Sequence, residues 1–128
     1  MPDRILIADD EPDLLNAAKI MLERGGYQVI EATNGDEALE KVHSEKPDLI
    51  ILDVVMPGKT GTEVCKILKD DPQTSSIPIL MYTVLGREAD SKISEEAGAD
   101  GHLIKPFTPE DLAAIVKKHL ELARSKSD

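Results

Sequence analysis

The sequence predicts an α/β fold of the form (βα)5, a doubly wound, five-stranded parallel sheet between two layers of helices. Short apolar runs alternate five times with segments of helical periodicity. Three of the runs, ILIA, LIIL and ILM, are continuous rather than alternating, which is typical of strands that are covered on both faces. Right-handed crossovers between such strands place helices on both sides of the sheet, which gives three layers.

The apolar runs and their flanking residues define the strands and the first helix. Strands are predicted at Ile5–Ala8, Val29–Ala32, Leu49–Leu52, Ile79–Met81 and Leu103–Ile104. The first helix is predicted to begin near Pro12, because proline is favoured in a first turn, and to end at Gly25-Gly26. Its apolar stripe is predicted to contain Leu14, Ala18, Met21 and Leu22.

The second and third helices are predicted from capping and periodicity. The second helix is expected to start at Asn34, with Glu37 three residues later in the pattern of a capping box. The apolar positions of these two helices are Ala38, Leu39 and Val42, followed by Val64, Ile67 and Leu68. Cys65 lies within the second of these stripes and is predicted to serve packing alone.

The fourth and fifth helices complete the pattern. The fourth has only a thin stripe of Ala89, Ile93 and Ala97. The fifth opens with Thr108-Pro109-Glu110-Asp111, a cap followed by proline and acids that suit the helix dipole. Its apolar positions are Leu112, Ile115, Val116 and Leu120. Residues 1–124 are therefore predicted to form one domain, and residues 125–128 a frayed tail or a truncated linker.

Composition limits the class of protein and the class of partner. A chain of 128 residues can bury a single core, and a formal net charge of −10 disfavours direct contact with nucleic acid or an anionic membrane. The single cysteine allows neither an internal disulfide nor a multi-cysteine metal site. The sequence contains no run of 18 apolar residues and no signal-peptide core, so a cytoplasmic protein is expected.

Polar residues follow four of the five predicted strands. These residues are Asp9-Asp10, Asp53, Tyr82-Thr83 and Lys105-Pro106. In a doubly wound sheet the ligand crevice lies at the carboxyl ends of the strands. Taken singly, each residue has an ordinary structural explanation, such as a turn cap or a solvated lysine. Their convergence on one edge of the sheet favours a functional site.

The three carboxylates predict the chemistry of that site. At an assumed separation of about 5 Å and an effective dielectric of about 20, each pair repels by about 3 kcal/mol. A cation would relieve this repulsion, and oxygen ligands without a histidine cluster favour Mg²⁺ over Zn²⁺. Mg²⁺ bridges to phosphate oxygens, and a carboxylate can itself become an aspartyl phosphate. The sequence lacks both a Walker loop and G-x-G-x-x-G, which argues against a bound nucleotide.

In these motifs the chain resembles the receiver domain of two-component response regulators, over essentially its whole length. The matching segments are Asp9-Asp10, the stretch LDVVMPGKTG from Leu52 to Gly61, Thr83, and Lys105-Pro106-Phe107. Each motif alone is weak, but their order and spacing together are highly specific. The resemblance implies a flavodoxin-like fold with strand order 2-1-3-4-5.

The resemblance also implies a role for each residue of the site. Asp53 would accept a phosphoryl group from the phosphohistidine of a histidine kinase or a phosphotransfer protein. Asp10, Asp53 and the backbone carbonyl of Val55 would bind Mg²⁺, and Asp9 would act through a bound water. Lys105 would pair with the phosphoryl oxygens. The protein would supply positioning and charge neutralisation.

A second set of residues would carry the signal away from the site. By resemblance, Thr83 would move to hydrogen-bond the new phosphate. His102 occupies the position on strand 5 where the family usually has an aromatic residue that turns inward on activation. The alternative for His102 is a half-exposed histidine without a role. The face made by helix 4, strand 5 and helix 5 would then control a downstream protein or an output domain. The Lys105-Pro106 peptide bond would be cis.

Two other interpretations compete with a phosphorylation-controlled interaction module. A phosphatase of the aspartyl-phosphate type would use D-x-D, but Val55 stands two residues after Asp53 and cannot donate a proton. A receiver-like scaffold that is never phosphorylated would not need the complete set of acids, Thr83 and Lys105. The expected protein is therefore a signalling module, not an enzyme, and catalyses only its own phosphorylation and slow dephosphorylation.

Overall fold

The computed structural model describes residues 2–54, 56–84, 97–105 and 107–126, with backbone alone at 82–84, 104, 105 and 126. Within these ranges, the strands are β1 (Arg4–Ala8), β2 (Gln28–Ala32), β3 (Leu49–Asp53), β4 (Ile79–Val84) and β5 (Gly101–Lys105). All neighbouring strands pair in parallel, in the order β2-β1-β3-β4-β5. The predicted doubly wound sheet and its strand order are confirmed.

Helices in the described ranges connect the strands on both faces of the sheet. They are α1 (Pro12–Arg24), α2 (Gly35–Glu45), α3 (Gly61–Asp70) and the C-terminal helix (Pro109–Lys126). The predicted fourth helix lies largely outside the described residues, and only Ala97, which is buried, can be placed. The C-terminal helix continues to Lys126, and the domain boundary at residue 124 stays a prediction. Among the described residues, no helix has both the length and the apolar character needed to cross a membrane.

The core has two halves, one on each face of the sheet. Alternate residues of β1 divide between them: Ile5 and Ile7 pack with α1 and the C-terminal helix, whereas Leu6 packs with α2 and α3. All four residues of the LIIL run in β3 are fully buried, which confirms that a continuous apolar run indicates a strand covered on both faces. Burial of one such aliphatic side chain contributes about 1.5–3 kcal/mol to folding, so β3 is strongly anchored in the core.

Two predictions about helix faces are wrong. Leu14 is 36% exposed, and its neighbour Leu15 is the residue that packs in the core. In α3, Ile67 is 41% exposed, whereas Cys65 is fully buried beside Val64 and Leu68. Adjacent apolar residues satisfy the same helical spacing, and the packing of the helix against the sheet decides which of them is buried. The predicted packing role of Cys65 is confirmed, and burial raises its thiol pKa to about 11.

Side-chain caps mark the start of α2, α3 and the C-terminal helix. The Asn34 side chain accepts a hydrogen bond of 2.8 Å from the Glu37 backbone N–H, as predicted. The Glu37 carboxylate instead accepts from the Thr33 N–H, one residue earlier than in a capping box. A reciprocal capping box is present at Thr60, and the Asp111 N–H donates to the predicted cap Thr108. These bonds satisfy N–H groups that a helix start leaves unpaired.

Candidate metal centre at the carboxyl edge of the sheet

Three acidic side chains meet where β1 and β3 end. The two strands are neighbours in the sheet, and Ala8 pairs with Leu52, so the residues that follow them lie side by side. One carboxylate oxygen from each of Asp9, Asp10 and Asp53 lies within 4.8 Å of the other two. Asp9 is buried, Asp53 is half-buried and Asp10 is exposed. The cluster therefore opens to solvent on the side of Asp10.

Asp9 also shapes the turn that leads into α1. Its Oδ1 atom accepts a hydrogen bond of 2.9 Å from the backbone N–H of Glu11, and its own N–H donates to the Ala32 carbonyl. Pro12 then begins the helix, where its missing N–H costs nothing. Asp9 is thus a turn cap, as its structural explanation predicted, and it also belongs to the carboxylate cluster.

The cluster suits a hard cation. Its donors are carboxylate oxygens alone, without histidine or cysteine, which disfavours Zn²⁺ and favours a metal that prefers oxygen ligands. Its open side leaves room for the waters that Mg²⁺ retains when it binds to protein carboxylates. Residue 55, predicted to contribute its backbone carbonyl, lies outside the described residues.

The backbone places Thr83 and Lys105 at the same edge. Asp53 pairs with Tyr82 across β3 and β4, so Thr83 is the next residue towards the carboxyl end of β4. Val84 pairs with Lys105, the last residue of β5. The predicted convergence of these strand ends is therefore present in the backbone, and the roles of the two side chains remain predictions.

His102 lies on β5, as predicted, beside Met81 of β4. It is half-exposed, and its neighbour Leu103 packs in the half of the core formed with α1 and the C-terminal helix. Because side chains alternate along a strand, His102 points to the opposite face of the sheet. A role of His102 in activation stays a prediction. The expected cis bond before residue 106 lies outside the described residues.

Sequence reasoning missed two glycines that bring backbones together behind the site. A Cβ atom on Gly61, the first residue of α3, would lie 1.9 Å from the carbonyl oxygen of Asp53. A Cβ atom on Gly35, the first residue of α2, would lie 2.1 Å from the carbonyl oxygen of Lys59. Both distances exclude any side chain larger than hydrogen without movement of the backbone. The sequence signals were weak, because Gly35 merely follows the predicted helix start at Asn34 and Gly61 merely ends the segment that resembles the receiver family.

Comparison with known proteins agrees with this geometry. Residues 5–117 match the family described as the response regulator receiver domain. The chain belongs to this family. The match covers the acidic cluster at its start and the strand that ends at Lys105, so the receiver domain includes every residue of the predicted site.

The amino-acid sequence of this receiver domain is similar to those of longer regulators. It is 44% identical over 131 positions to the alkaline phosphatase synthesis transcriptional regulatory protein PhoP of Bacillus subtilis, covering 100% of this chain and 54% of that protein. It is 38% identical over 117 positions to the phosphate regulon transcriptional regulatory protein PhoB of Escherichia coli, with coverages of 91% and 51%. The chain thus spans about half the length of these relatives.

Solved structures show the same fold. A putative response regulator from Chloroflexus aurantiacus superimposes with a TM-score of 0.92 at 37% identity, covering 94% of this chain and 99% of that one. A CheY-like receiver domain protein from Methanospirillum hungatei gives a TM-score of 0.90 at 31% identity, with coverages of 98% and 99%. The flavodoxin-like architecture predicted from the sequence is therefore confirmed.

Proposed function

We propose that this receiver domain is a phosphorylation-controlled switch in which Asp53 accepts a phosphoryl group from a phosphohistidine. The carboxylate cluster at the ends of β1 and β3 carries the proposal, since three acids within 4.8 Å suit a cation and a phosphoryl group. Asp53 is the proposed acceptor because of its position in the segment LDVVMPGKTG that resembles the receiver family, and Asp9 is disfavoured because it is buried and its Oδ1 accepts a hydrogen bond in the α1 turn. The donor would be a histidine kinase or a phosphotransfer protein.

The transfer exchanges one bond to phosphorus for another. A carboxylate oxygen of Asp53 attacks phosphorus, and the P–N bond breaks with its electron pair going to the imidazole nitrogen of the donor. Asp10, Asp53 and the Val55 carbonyl would hold Mg²⁺, with Asp9 acting through a water. The metal would neutralise charge on the phosphoryl oxygens. Lys105, at the end of β5, would pair with the same oxygens.

The receiver domain is a signalling module, and we propose that its own catalysis is limited to self-phosphorylation and slow self-dephosphorylation. Hydrolysis of external phosphoesters by an aspartyl-phosphate route needs a general acid near the acceptor. In this chain the second residue after Asp53 is Val55, which has no proton to donate. This supports the switch over the phosphatase.

The partners follow from the family and from the charge of the chain. Relatives are named as transcriptional regulators, and the one from Mycolicibacterium smegmatis as a DNA-binding response regulator. We propose that the receiver domain controls an output domain or a separate protein and does not itself contact nucleic acid, since its net charge is −10. We also propose a cytoplasmic location and no membrane contact.

The switch is tested by comparing phosphorylation with the conformational response. We expect acetyl phosphate and Mg²⁺ to change amide hydrogen exchange in residues 101–105 and 109–126. Phosphorylation shifts a two-state equilibrium only through contacts that differ between the states, and Thr83 is proposed to make that contact. Thr83→Ala is expected to keep phosphorylation of Asp53 but to reduce the exchange change by half or more.

Thr33→Ala is the matched control, because Thr33 also follows a strand, but that strand, β2, is separated from β4 by β1 and β3. It is expected to leave both the phosphorylation and the exchange response unchanged. A response of wild-type size in Thr83→Ala would rule out Thr83 as the connection. A fully phosphorylated wild type without any change in these elements would contradict the switch itself.

A further inference from the structure

The loop that follows Asp53 contacts the first turn of α2. The Lys59 Nζ atom donates a hydrogen bond of 2.8 Å to Asp36 Oδ1 and forms an ion pair with it. Beside this pair, the hydrogen of Gly35 faces the Lys59 carbonyl, where a Cβ atom would lie only 2.1 Å away. Gly58 has a φ of +75°, and a Cβ atom there would lie 2.9 Å from Asp36 Oδ2. The loop thus contacts α2 both through the side chain of Lys59 and through its backbone.

The same loop is tied to the acceptor residue at its two ends. It begins directly after Asp53, and its last contact is the 3.0 Å hydrogen bond from the Gly61 N–H to the Val54 carbonyl. Gly61 also packs against the Asp53 carbonyl. A displacement of the loop away from α2 would therefore be transmitted to the backbone of Asp53.

We propose that Asp36 and Lys59 are positioning residues for the phosphorylation site, whose ion pair holds the loop against α2 and so fixes Asp53 relative to Asp9 and Asp10. This inference rests on the proposed function. Neither Asp36 nor Lys59 belongs to the carboxylate cluster, so positioning by the pair would reach that cluster through the backbone of the loop.

The exposure and charge of the pair determine what its loss would change. The side chains of Lys59 and Asp36 are 40% and 64% exposed, so the pair adds little to overall stability. The hydrogen bond to Asp36 raises the pKa of Lys59 above its ordinary 10.5, so Lys59 keeps its positive charge at neutral pH. An effect on the site would therefore arise from the position of the loop rather than from unfolding.

The test is a titration with Mg²⁺ alone, monitored by NMR through the amide resonances of Asp9, Asp10 and Asp53. We expect Lys59→Met and Asp36→Ala each to weaken Mg²⁺ binding by about two- to fivefold, the range that one exposed ion pair can supply. Lys59→Arg, which keeps the charge and the donor, should stay within about twofold of wild type. At low Mg²⁺, acetyl phosphate should label Lys59→Met and Asp36→Ala more slowly than wild type, and Lys59→Arg at close to the wild-type rate.

The direction of the Lys59→Met effect separates positioning from simple electrostatics. Removal of a positive charge from the loop after Asp53 would by Coulomb's law tighten Mg²⁺ binding, whereas loss of positioning would weaken it. Lys19→Met is the matched control, because Lys19 is about as exposed as Lys59 and forms an ion pair of 2.9 Å with Glu31, away from the loop. It should not weaken binding.

Three results would overturn the inference: tighter or unchanged binding in Lys59→Met, unchanged binding in Asp36→Ala, or equal weakening in Lys19→Met. Thermal unfolding of each variant establishes that it is folded at the temperature of the titration. A wild type that binds no Mg²⁺ and takes no label would instead contradict the proposed function. The two failures are therefore distinguishable.

Discussion

Replacement of Gly61 by alanine is expected to lower the free energy of unfolding by about 3 kcal/mol and to weaken Mg²⁺ binding at the same time. The added Cβ atom would lie 1.9 Å from the Asp53 carbonyl oxygen and 3.1 Å from the Met81 side chain. Because the first contact is with backbone, the overlap cannot be relieved by rotation of a side chain. Overpacking of this kind costs about 1–3 kcal/mol and occasionally more.

Chemical denaturation and a Mg²⁺ titration of the same variant measure the two effects. Gly25→Ala is the matched control, because a Cβ atom there would meet its neighbours at 3.3–3.5 Å, close to ordinary contact distances. We expect that control to change the free energy of unfolding by less than about 1 kcal/mol. Wild-type stability and wild-type Mg²⁺ affinity in Gly61→Ala would contradict a close approach of Gly61 to the Asp53 carbonyl.

Replacement of Asp10 by asparagine is expected to stabilise the receiver domain without metal and to abolish its stabilisation by Mg²⁺. Each carboxylate pair repels by about 3 kcal/mol at about 5 Å and an effective dielectric of about 20. Solvent around the exposed Asp10 reduces the net gain to about 1 kcal/mol, which corresponds to a rise in Tm of about 3–6 °C. Wild type should gain about 2.7 kcal/mol at a Mg²⁺ concentration of 100 times Kd.

Asp13→Asn is the control for this comparison. Asp13 lies in the first turn of α1, where a negative charge interacts favourably with the helix dipole. Neutralising it should therefore lower Tm slightly and leave the response to Mg²⁺ intact. Thermal unfolding with and without Mg²⁺ measures whether each variant raises or lowers Tm and whether Mg²⁺ still stabilises it. A lower Tm in Asp10→Asn with full stabilisation by Mg²⁺ would mean that Asp10 is not part of the metal centre.

The sheet could be predicted because its signal is local. Continuous apolar runs such as LIIL identify strands that are buried on both faces, and β3 is fully buried over these residues. The ends of the strands could not be predicted in the same way. Backbone pairing begins at Arg4, before the apolar run of β1, and in β4 it continues through the polar residues Tyr82 and Thr83 to Val84.

The buried face of a helix was predicted less well. Leu14 and Leu15 both fit a stripe with Ala18 and Leu22, and the sequence contains no information on the rotation of α1 against the sheet. Packing buries Leu15 and leaves Leu14 36% exposed. The same ambiguity between neighbouring apolar residues explains the error at Ile67.

The carboxylate cluster could be predicted because topology alone brings it together. Neighbouring parallel strands end at the same edge, so Asp9, Asp10 and Asp53 meet wherever β1 lies beside β3. The contacts that hold the cluster in place could not be predicted. The ion pair of Asp36 with Lys59 joins residues from separate elements, and its existence depends on the path of a loop.

The central claim is that Asp53 accepts the phosphoryl group with the help of Mg²⁺, and mapping the phosphorylated residue tests it most directly. The protein is treated with acetyl phosphate, with and without Mg²⁺, and the label is located by intact mass and peptide mapping. We predict a single phosphoryl group, on the peptide that contains Asp53, only when Mg²⁺ is present and not in Asp53→Asn. Full labelling of Asp53→Asn, or a label on another residue of the wild type, would contradict the account.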